Sequence, residues 1–123
     1  MIKRKSRKDK RQIRHIRIKK RVKGSLAVPR LCVFKSARHI YGQIIDDSRG
    51  HTVVAASSLT PQVREMMKDE KKKVEASAVV GKYIGQLAVS KNIKRVCFDR
   101  GGYPFHGRIK SFAEAAREAG LSF

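Results

Sequence analysis

Three short runs of alternating hydrophobic and polar residues lie in the first half of the chain. They cover Arg30 to Lys35, His39 to Asp46 and His51 to Ser57, and they are rich in β-branched and aromatic residues. Such alternation places successive side chains on opposite faces of a strand. Turn-forming residues separate the runs, as at 47–50. The pattern therefore predicts three antiparallel strands joined by short turns.

Helical spacing replaces this alternation after the third run. Thr60-Pro61 is a helix-start signal, and it predicts a short helix that ends at Met67. The charged residues 68–73 are predicted to be an exposed connection. A longer helix is predicted from Val74 to about Lys91, and a last helix from Arg108 to Ala119, because apolar residues recur there at intervals of three and four.

A fourth strand is predicted from Lys94 to Phe98, between the two longer helices. Because a helix connects it to the earlier strands, it is expected to run parallel to one of them. The predicted fold is α/β, with the order β-β-β-α-β-α and a mixed, mostly antiparallel four-stranded sheet on which the helices pack. Gly81 and Gly85 lie inside the long helix, and their spacing predicts that it lies close to the sheet.

Charge divides the chain into two parts. The net charge is +20, and 13 of the 30 basic residues lie within residues 1–23. This arm carries Ile13, Ile16, Ile18 and Val22 among its charges, which is too little apolar surface to offset its ordering entropy. We expect residues 1–24 to be disordered or a frayed helix when free, and residues 25–123 to form one domain. The excess charge predicts a polyanionic partner, most often a nucleic acid.

Several other classes of protein are disfavoured. No apolar run approaches the ~18 residues of a membrane span, and the N-terminus lacks the apolar stretch of a secretory signal. The arm is rich in lysine and poor in serine, unlike a mitochondrial transit peptide.

Cys32 and Cys97 show no metal-ligand spacing to each other or to a histidine. We interpret them as small buried residues of strands in a cytosolic protein, with no metal or other cofactor.

The glycine-rich segment DRGGYPFHGR, residues 99–108, follows the fourth strand and opens the last helix. Its glycines allow the backbone to approach a ligand, and the free N–H groups of a helix start favour phosphate. Tyr103, Phe105 and His106 would be able to stack on unpaired bases. The alternative is a glycine-rich turn whose aromatic residues only cover the core.

The turn after the first strand carries cations and aromatic residues too, from Lys35 to Gln43. If the first and fourth strands are parallel neighbours, this turn and the glycine-rich segment leave the same end of the sheet. Together they would form one basic and aromatic surface. The alternative is an ordinary solvated turn.

Two rival functions follow from other residues. Asp46, Asp47 and Asp99 would suit a metal-dependent nuclease, but Asp46-Asp47 opens a turn, and Asp99 would be able to cap the glycine-rich segment or pair with an arginine. The histidines and serines show no spacing typical of a nucleophilic site.

The second rival is a general nucleic-acid or membrane-surface binder that acts through the arm alone. It would bind any polyanion equally well.

Two long stretches, PRLCVFKSARHIYGQIIDD and VGKYIGQLAVSKNIKRVCFDRGGYPFHGRIKSFAEAAREAGLSF, resemble the ribosomal protein eighteen family of the bacterial large subunit. The resemblance extends from about Arg14 to the C-terminus. Its most specific pieces are PRL-x-V-F, H-I-Y, F-D-R-G-G-Y-x-x-H-G-R and A-x-A-A-R-E-A-G-L.

The resemblance implies a non-enzymatic structural component of the cytoplasmic ribosome, an α/β domain with a basic N-terminal extension. It implies binding to 5S rRNA and its attachment to 23S rRNA in the central protuberance, beside neighbouring 5S-binding proteins. Neither a membrane nor a small-molecule substrate is expected. Cys32 stands where serine is familiar in the family. Phe105 stands where tyrosine is common, so a hydrogen bond is lost there while stacking is kept.

The residues predicted to contact RNA combine basic positions of the arm, positions carried over from the family's motifs, and Lys110, which lies one turn into the last helix. They are Arg11, Arg14, Arg17, Lys19, Lys20, Arg21, Lys23, Arg30, Phe34, Lys35, Ser36, Arg38, His39, Tyr41, Gln43, Arg100, Gly101, Gly102, Tyr103, His106, Gly107, Arg108 and Lys110.

Overall fold

The computed structural model describes residues 4–67 and 72–123. A helix in the arm precedes the predicted order of strands and helices. The elements are α1 (Arg7–Arg21), β1 (Arg30–Lys35), β2 (Ile40–Asp46), β3 (His51–Ser57), α2 (Pro61–Met67), α3 (Lys73–Ser90), β4 (Cys97–Asp99) and α4 (Arg108–Glu118). The predicted α/β class is confirmed. The predicted connection at 68–73 lies mostly outside the described residues, and Lys73 already belongs to α3.

The four strands form one sheet in the order β3-β2-β1-β4. The first three pair antiparallel, and β4 runs parallel to β1 with Leu31 opposite Phe98 and Cys32 opposite Asp99. The fourth strand was predicted too early and too long. The C-terminal segment takes the hydrogen bonds of its first part: Ser122 N–H donates to the carbonyl of Lys94, and Val96 N–H donates to the carbonyl of Ser122.

The hydrophobic core lies between one face of the sheet and the helices α3 and α4. Large members of this core that are 0–1% exposed include Leu31, Val33, Ile40, Ile44, Ile84 and Phe112.

The prediction that Gly81 and Gly85 bring α3 close to the sheet was wrong. A Cβ at Gly81 would collide with the backbone of Phe112, and one at Gly85 would lie 2.6 Å from the Cβ of Ala119. The two glycines therefore allow α3 to pack closely on α4.

Helix α1 begins with a capping box. The Ser6 hydroxyl accepts a hydrogen bond from Asp9 N–H, and the Asp9 carboxylate accepts one from Ser6 N–H, both at 3.1 Å. Cations in the last turn complement the helix dipole. No residue of α1 is buried. The structure thus gives the arm a helix, while its flexibility in the free protein stays a prediction.

Helix α1 lies against the glycine-rich segment, over the sheet face opposite the core. Alternation along β1 sends Leu31 and Val33 to the core and Cys32 and Phe34 to the α1 side. The guanidinium carbon of Arg11 lies 5.8 Å from the centre of the Phe34 ring. No helix among the described residues is long and apolar enough to cross a membrane.

Candidate nucleic-acid interface

The glycine-rich segment between β4 and α4 is shaped by backbone that only glycine adopts easily. Gly101, Gly102 and Gly107 have φ values of 66°, 81° and 59°. A Cβ on Gly101 would lie 2.5 Å from the carbonyl oxygen of Val33, and one on Gly102 would collide with the backbone of α1. Gly101 and Gly102 are buried. The close approach expected toward a ligand is therefore made to the protein's own backbone.

Two arginines of α1 attach the helix to this segment. Arg11 donates a hydrogen bond from Nη1 to the carbonyl oxygen of Gly101, and Arg14 donates one from Nε to that of Gly102, each at 2.8 Å. His15 Nε2 lies 3.0 Å from Oδ2 of Asp99. These three residues lie on one side of the helix, so the opposite side is left to solvent.

Asp99 is the centre of a buried polar network. It is 0% exposed, and its Oδ2 accepts a hydrogen bond from Nη1 of Arg30 at 2.6 Å. Its Oδ1 accepts one from Gly101 N–H at 2.8 Å. Burial by itself would raise the pKa of Asp99, but the bonds from Gly101, His15 and Arg30 outweigh it and lower the pKa. Asp99 is therefore a charged anchor for the segment.

The guanidinium of Arg30 makes its hydrogen bonds within the protein. Arg30 is 6% exposed and also forms a two-pronged contact with Asp47, at 2.9 Å from Nε and 3.0 Å from Nη2. The hydrogen bond from Arg30 lowers the pKa of Asp47 despite some desolvation. In this conformation the guanidinium of Arg30 is not available to an external phosphate, although the sequence placed it among the RNA contacts.

These contacts bear on the nuclease alternative. The guanidinium of Arg30 stands between Asp47 and Asp99, where a catalytic metal ion would have to bind. Asp46 is buried and its Oδ1 accepts hydrogen bonds from N–H and Oγ of Ser48, as in an Asx turn. Each of the three carboxylates thus has a structural role, and they do not form an open metal site.

The fold places His15 close to Cys32 and Asp99. Possible ligand atoms of His15, Cys32 and Asp99 lie within 4.8 Å of one another, although the residues are far apart in sequence. Burial raises the pKa of the Cys32 thiol to about 11, which disfavours the thiolate that binds metals. Arg30 already supplies a cation to Asp99. The geometry therefore favours a polar contact between α1 and the sheet over a metal centre.

The aromatic residues divide into internal and exposed rings. Tyr103 is 7% exposed, and its hydroxyl donates to the carbonyl oxygen of Lys35 and accepts from its N–H, both at 3.2 Å. It joins the glycine-rich segment to β1 and cannot stack on a base here. Phe34 and Phe105 are 47% and 43% exposed, and Phe34 lies 5.9 Å from the ring of Tyr41. These three rings remain available to bases.

The glycine-rich segment and the first turn meet at one end of the sheet, as expected for parallel β1 and β4. Arg108 donates a hydrogen bond from Nη1 to the carbonyl oxygen of Ser36 at 2.9 Å. Ser36 closes the turn by accepting a hydrogen bond from His39 N–H on its hydroxyl. His39 in turn has Nδ1 2.9 Å from the hydroxyl of Ser58.

Helix α1 and the glycine-rich segment form a basic pocket along the side of α1 that carries Arg14. Its volume is about 360 Å³, and its lining contains four arginines and no carboxylate among the described residues. The lining residues are Arg14, Arg17, Ile18, Arg21 and Arg100. Arg100 is positioned by a 3.0 Å hydrogen bond from Nη1 to the carbonyl oxygen of Tyr103. Such a pocket is suited to the phosphate groups of a polyanion.

The predicted contact residues therefore fall into three groups by exposure. The exposed ones are Arg17, Lys19, Lys20, Arg21, Lys23, Phe34, Arg38, Gln43, His106 and Lys110. The partly exposed ones are Arg11, Arg14, Lys35, Ser36, His39, Tyr41, Arg100, Gly107 and Arg108. The buried ones are Arg30, Gly101, Gly102 and Tyr103.

Sequence reasoning missed several residues of this end of the molecule. His15 and Asp47 position the contact residues, a role that the sequence did not indicate, since Asp47 was considered only as a turn residue or a metal ligand. Arg64, Lys72 and Lys73 lie close to His39 and Arg108, far from them in sequence. Lys72 and Lys73 were expected only in an exposed charged connection, and Arg64 carried no predicted role, so nothing in the sequence associated these cations with a site.

A rigid α/β sheet with a cationic helix and exposed aromatic rings at one end defines a small nucleic-acid-binding protein. Residues 5–123 match the family described as ribosomal L18 of archaea, bacteria, mitochondria and chloroplasts. The large ribosomal subunit protein uL18 of Thermotoga petrophila is 54% identical over the full length of both chains. That of Caldicellulosiruptor saccharolyticus is 54% identical over 96% of this chain and 94% of its own.

The chain therefore belongs to the ribosomal L18 family, and the resemblance inferred from its motifs is confirmed. It is a structural protein of the large ribosomal subunit, active in translation, and not an enzyme.

Proposed function

We propose that this protein binds 5S rRNA and helps to attach it to 23S rRNA in the central protuberance, beside other 5S-binding proteins. The observation that carries the proposal is the pocket of about 360 Å³ with four arginines. It combines positive charge, planar donors and a fixed position on a folded domain, which together suit the closely spaced phosphates of a folded RNA.

The proposed binding begins with electrostatic attraction. The net charge of +20 raises the rate of encounter with RNA, and each phosphate contact releases counterions. The exposed cations of α1 then contact the RNA backbone, while Arg11, Arg14 and His15 hold the helix on the domain. Binding therefore weakens steeply as salt concentration rises.

Specificity in this proposal comes from the domain. Phe34, Tyr41 and Phe105 are at least partly exposed and offer ring faces to unpaired bases. Tyr103, Arg30 and Asp99 hold these groups in place and do not touch RNA. The protein would recognise the shape of an RNA loop more than a sequence of bases.

The test is competition binding of labelled 5S rRNA at near-physiological salt, with excess tRNA as competitor. We expect tRNA to compete poorly, because a folded domain that reads RNA shape discriminates between two polyanions of similar charge. Equal competition by tRNA would contradict the proposal and favour a general binder that acts through charge alone. The same assay with a 23S rRNA fragment in place of tRNA tests the proposed attachment to 23S rRNA. We expect the fragment not to displace 5S rRNA, because attachment requires both RNAs in one complex.

A further inference from the structure

A second basic cleft lies on the helix side of the sheet, where no residue of α1 reaches. It has a volume of about 240 Å³ and is formed by the first turn, α2 and the starts of α3 and α4. Its cations are Arg38, Arg64, Lys72, Lys73 and Arg108. Since α1 covers the opposite face, this cleft is separate from the pocket at α1.

Arg108 is the residue in this cleft that needs a partner. Its Nε is buried and has no hydrogen-bond acceptor, although its Nη1 is bonded to Ser36. A buried donor without an acceptor is destabilising, because it has lost its hydrogen bond to water. Burial also lowers the pKa of Arg108, and no carboxylate among the described lining residues compensates. An acceptor from outside the chain would remove both penalties.

The charge around Arg108 points to the same kind of ligand. The lining described for the cleft contains five cations and no carboxylate, and none of the five forms an ion pair with a described residue. This differs from Arg30, which is buried between two aspartates. Five cations around one cleft repel one another, and an anion with several oxygens would relieve this repulsion.

The size of the cleft limits the ligand further. Its volume is below the about 300–1,000 Å³ typical of pockets that enclose a whole drug-sized molecule. A single phosphate group fits such a volume better than a nucleotide does. The hydroxyl of Ser58 and the ring of His39 line the cleft and offer further polar contacts.

We propose that this cleft binds a backbone phosphate of 5S rRNA, in a segment other than the one that contacts α1. The inference rests on the proposed function and extends it to a second surface. The protein would hold two RNA strands, one on each face of the same end of the sheet. The arm would then account for only part of the salt dependence of binding.

The first test uses the full chain and 5S rRNA in filter binding across a salt series. The cleft variant carries Arg64→Gln and Lys73→Gln, both at exposed positions where folding is expected to be preserved. The matched control carries Lys82→Gln and Lys94→Gln, which remove two exposed cations elsewhere. We expect the cleft variant to lower the log-log salt slope by roughly 1–2 and the affinity about tenfold. Equal binding by the two variants would overturn the inference.

The second test separates RNA from free phosphate. The Nε–H signal of Arg108 is followed by NMR in the full chain as inorganic phosphate is added, and we expect a shift that the cleft variant lacks. A phosphate-induced shift combined with unchanged RNA binding would show a site for small anions and reject an RNA contact.

Failure of this inference can be told from failure of the proposed function. The function fails if tRNA competes as well as 5S rRNA against the unmodified chain. The inference fails if the unmodified chain prefers 5S rRNA while the cleft and control variants bind alike.

Discussion

Arg30 and Arg49 each pair with an aspartate, but the two pairs lie in different surroundings. The side chain of Arg30 is 7% exposed and contacts Asp47 and Asp99, while that of Arg49 is 69% exposed and lies 3.9 Å from Asp46. Removing one partner of a buried pair leaves an uncompensated charge, whereas a surface pair contributes little. Position in the fold therefore decides what the same two residue types do.

A first prediction compares these two arginines. Arg30→Ala should lower the free energy of unfolding by about 3–5 kcal/mol, because Asp99 then remains buried without its main cation. Arg49→Ala should change it by less than about 0.5 kcal/mol. Urea denaturation of both variants at neutral pH measures the difference. Similar midpoints for the two would mean that the network around Asp99 contributes no stability.

A second prediction concerns Arg100 in the pocket at α1. Arg100→Ala should weaken 5S rRNA binding roughly tenfold and lower the salt slope by about 1, because one charged phosphate contact is lost. The fold should be unchanged, since the side chain is partly exposed. Filter binding and circular dichroism check the two parts, with Lys82→Ala as a control at an exposed site far from the pocket. Unchanged affinity would remove Arg100 from the interface.

At the scale of the element, α1 has two sides with different tasks. One side is attached through Arg11, Arg14 and His15, and the other presents cations to solvent. Charge alone predicted an arm that binds a polyanion. It did not predict that some of its cations would bind the domain instead.

A third prediction tests the attachment of α1. His15→Ala should speed amide hydrogen exchange in α1 by about tenfold, because the helix loses its contact with Asp99. Gln12→Ala is the matched control, since Gln12 is exposed on the same helix. Equal protection in the two variants would show that the contact between His15 and Asp99 does not hold the helix on the domain.

A fourth prediction concerns the arm as a whole. Deleting residues 1–23 should flatten the salt dependence of 5S rRNA binding, and a loss of ~8 phosphate contacts would change the log-log slope by roughly 6. The domain should still fold, since the core residues all lie within 31–121. Filter binding over a salt series gives the slope. If it does not change, the arm takes no part in binding 5S rRNA.

At the scale of the whole molecule, the carboxylates of Asp47 and Asp99 link stability to pH. Both have a pKa below the usual range in the folded state, so the stability that they contribute is present above about pH 4. It is lost as the pH falls through their folded values. The cationic surface adds repulsion that grows as other carboxylates are protonated.

The fifth prediction follows from this linkage. The urea concentration at the unfolding midpoint should stay constant near neutral pH and should fall steeply below about pH 4. Asp99→Asn should start from a lower midpoint and fall less steeply, because the buried carboxylate of Asp99 no longer contributes to the linkage. Urea titrations at several pH values measure both curves. Parallel curves would mean that Asp99 is not responsible for the acid sensitivity.

The sequence by itself determined the three-strand meander, the two long helices and the need for a polyanion. Hydrophobic periodicity depends on neighbouring residues, and net charge is a sum over the chain. Both can therefore be obtained from the sequence without knowledge of the fold. The same local reading placed the fourth strand too early, because it could not show that Ser122 would pair with that segment.

Only the tertiary structure decided which of the predicted contact residues face solvent. Arg30, Gly101, Gly102 and Tyr103 belong to the family's motifs, yet they are buried and hold the site in place. Their burial depends on partners far along the chain: Arg11 reaches Gly101 across 90 positions, and Tyr103 reaches Lys35 across 68. Such contacts depend on how the elements pack, and no pattern of neighbouring residues encodes that packing.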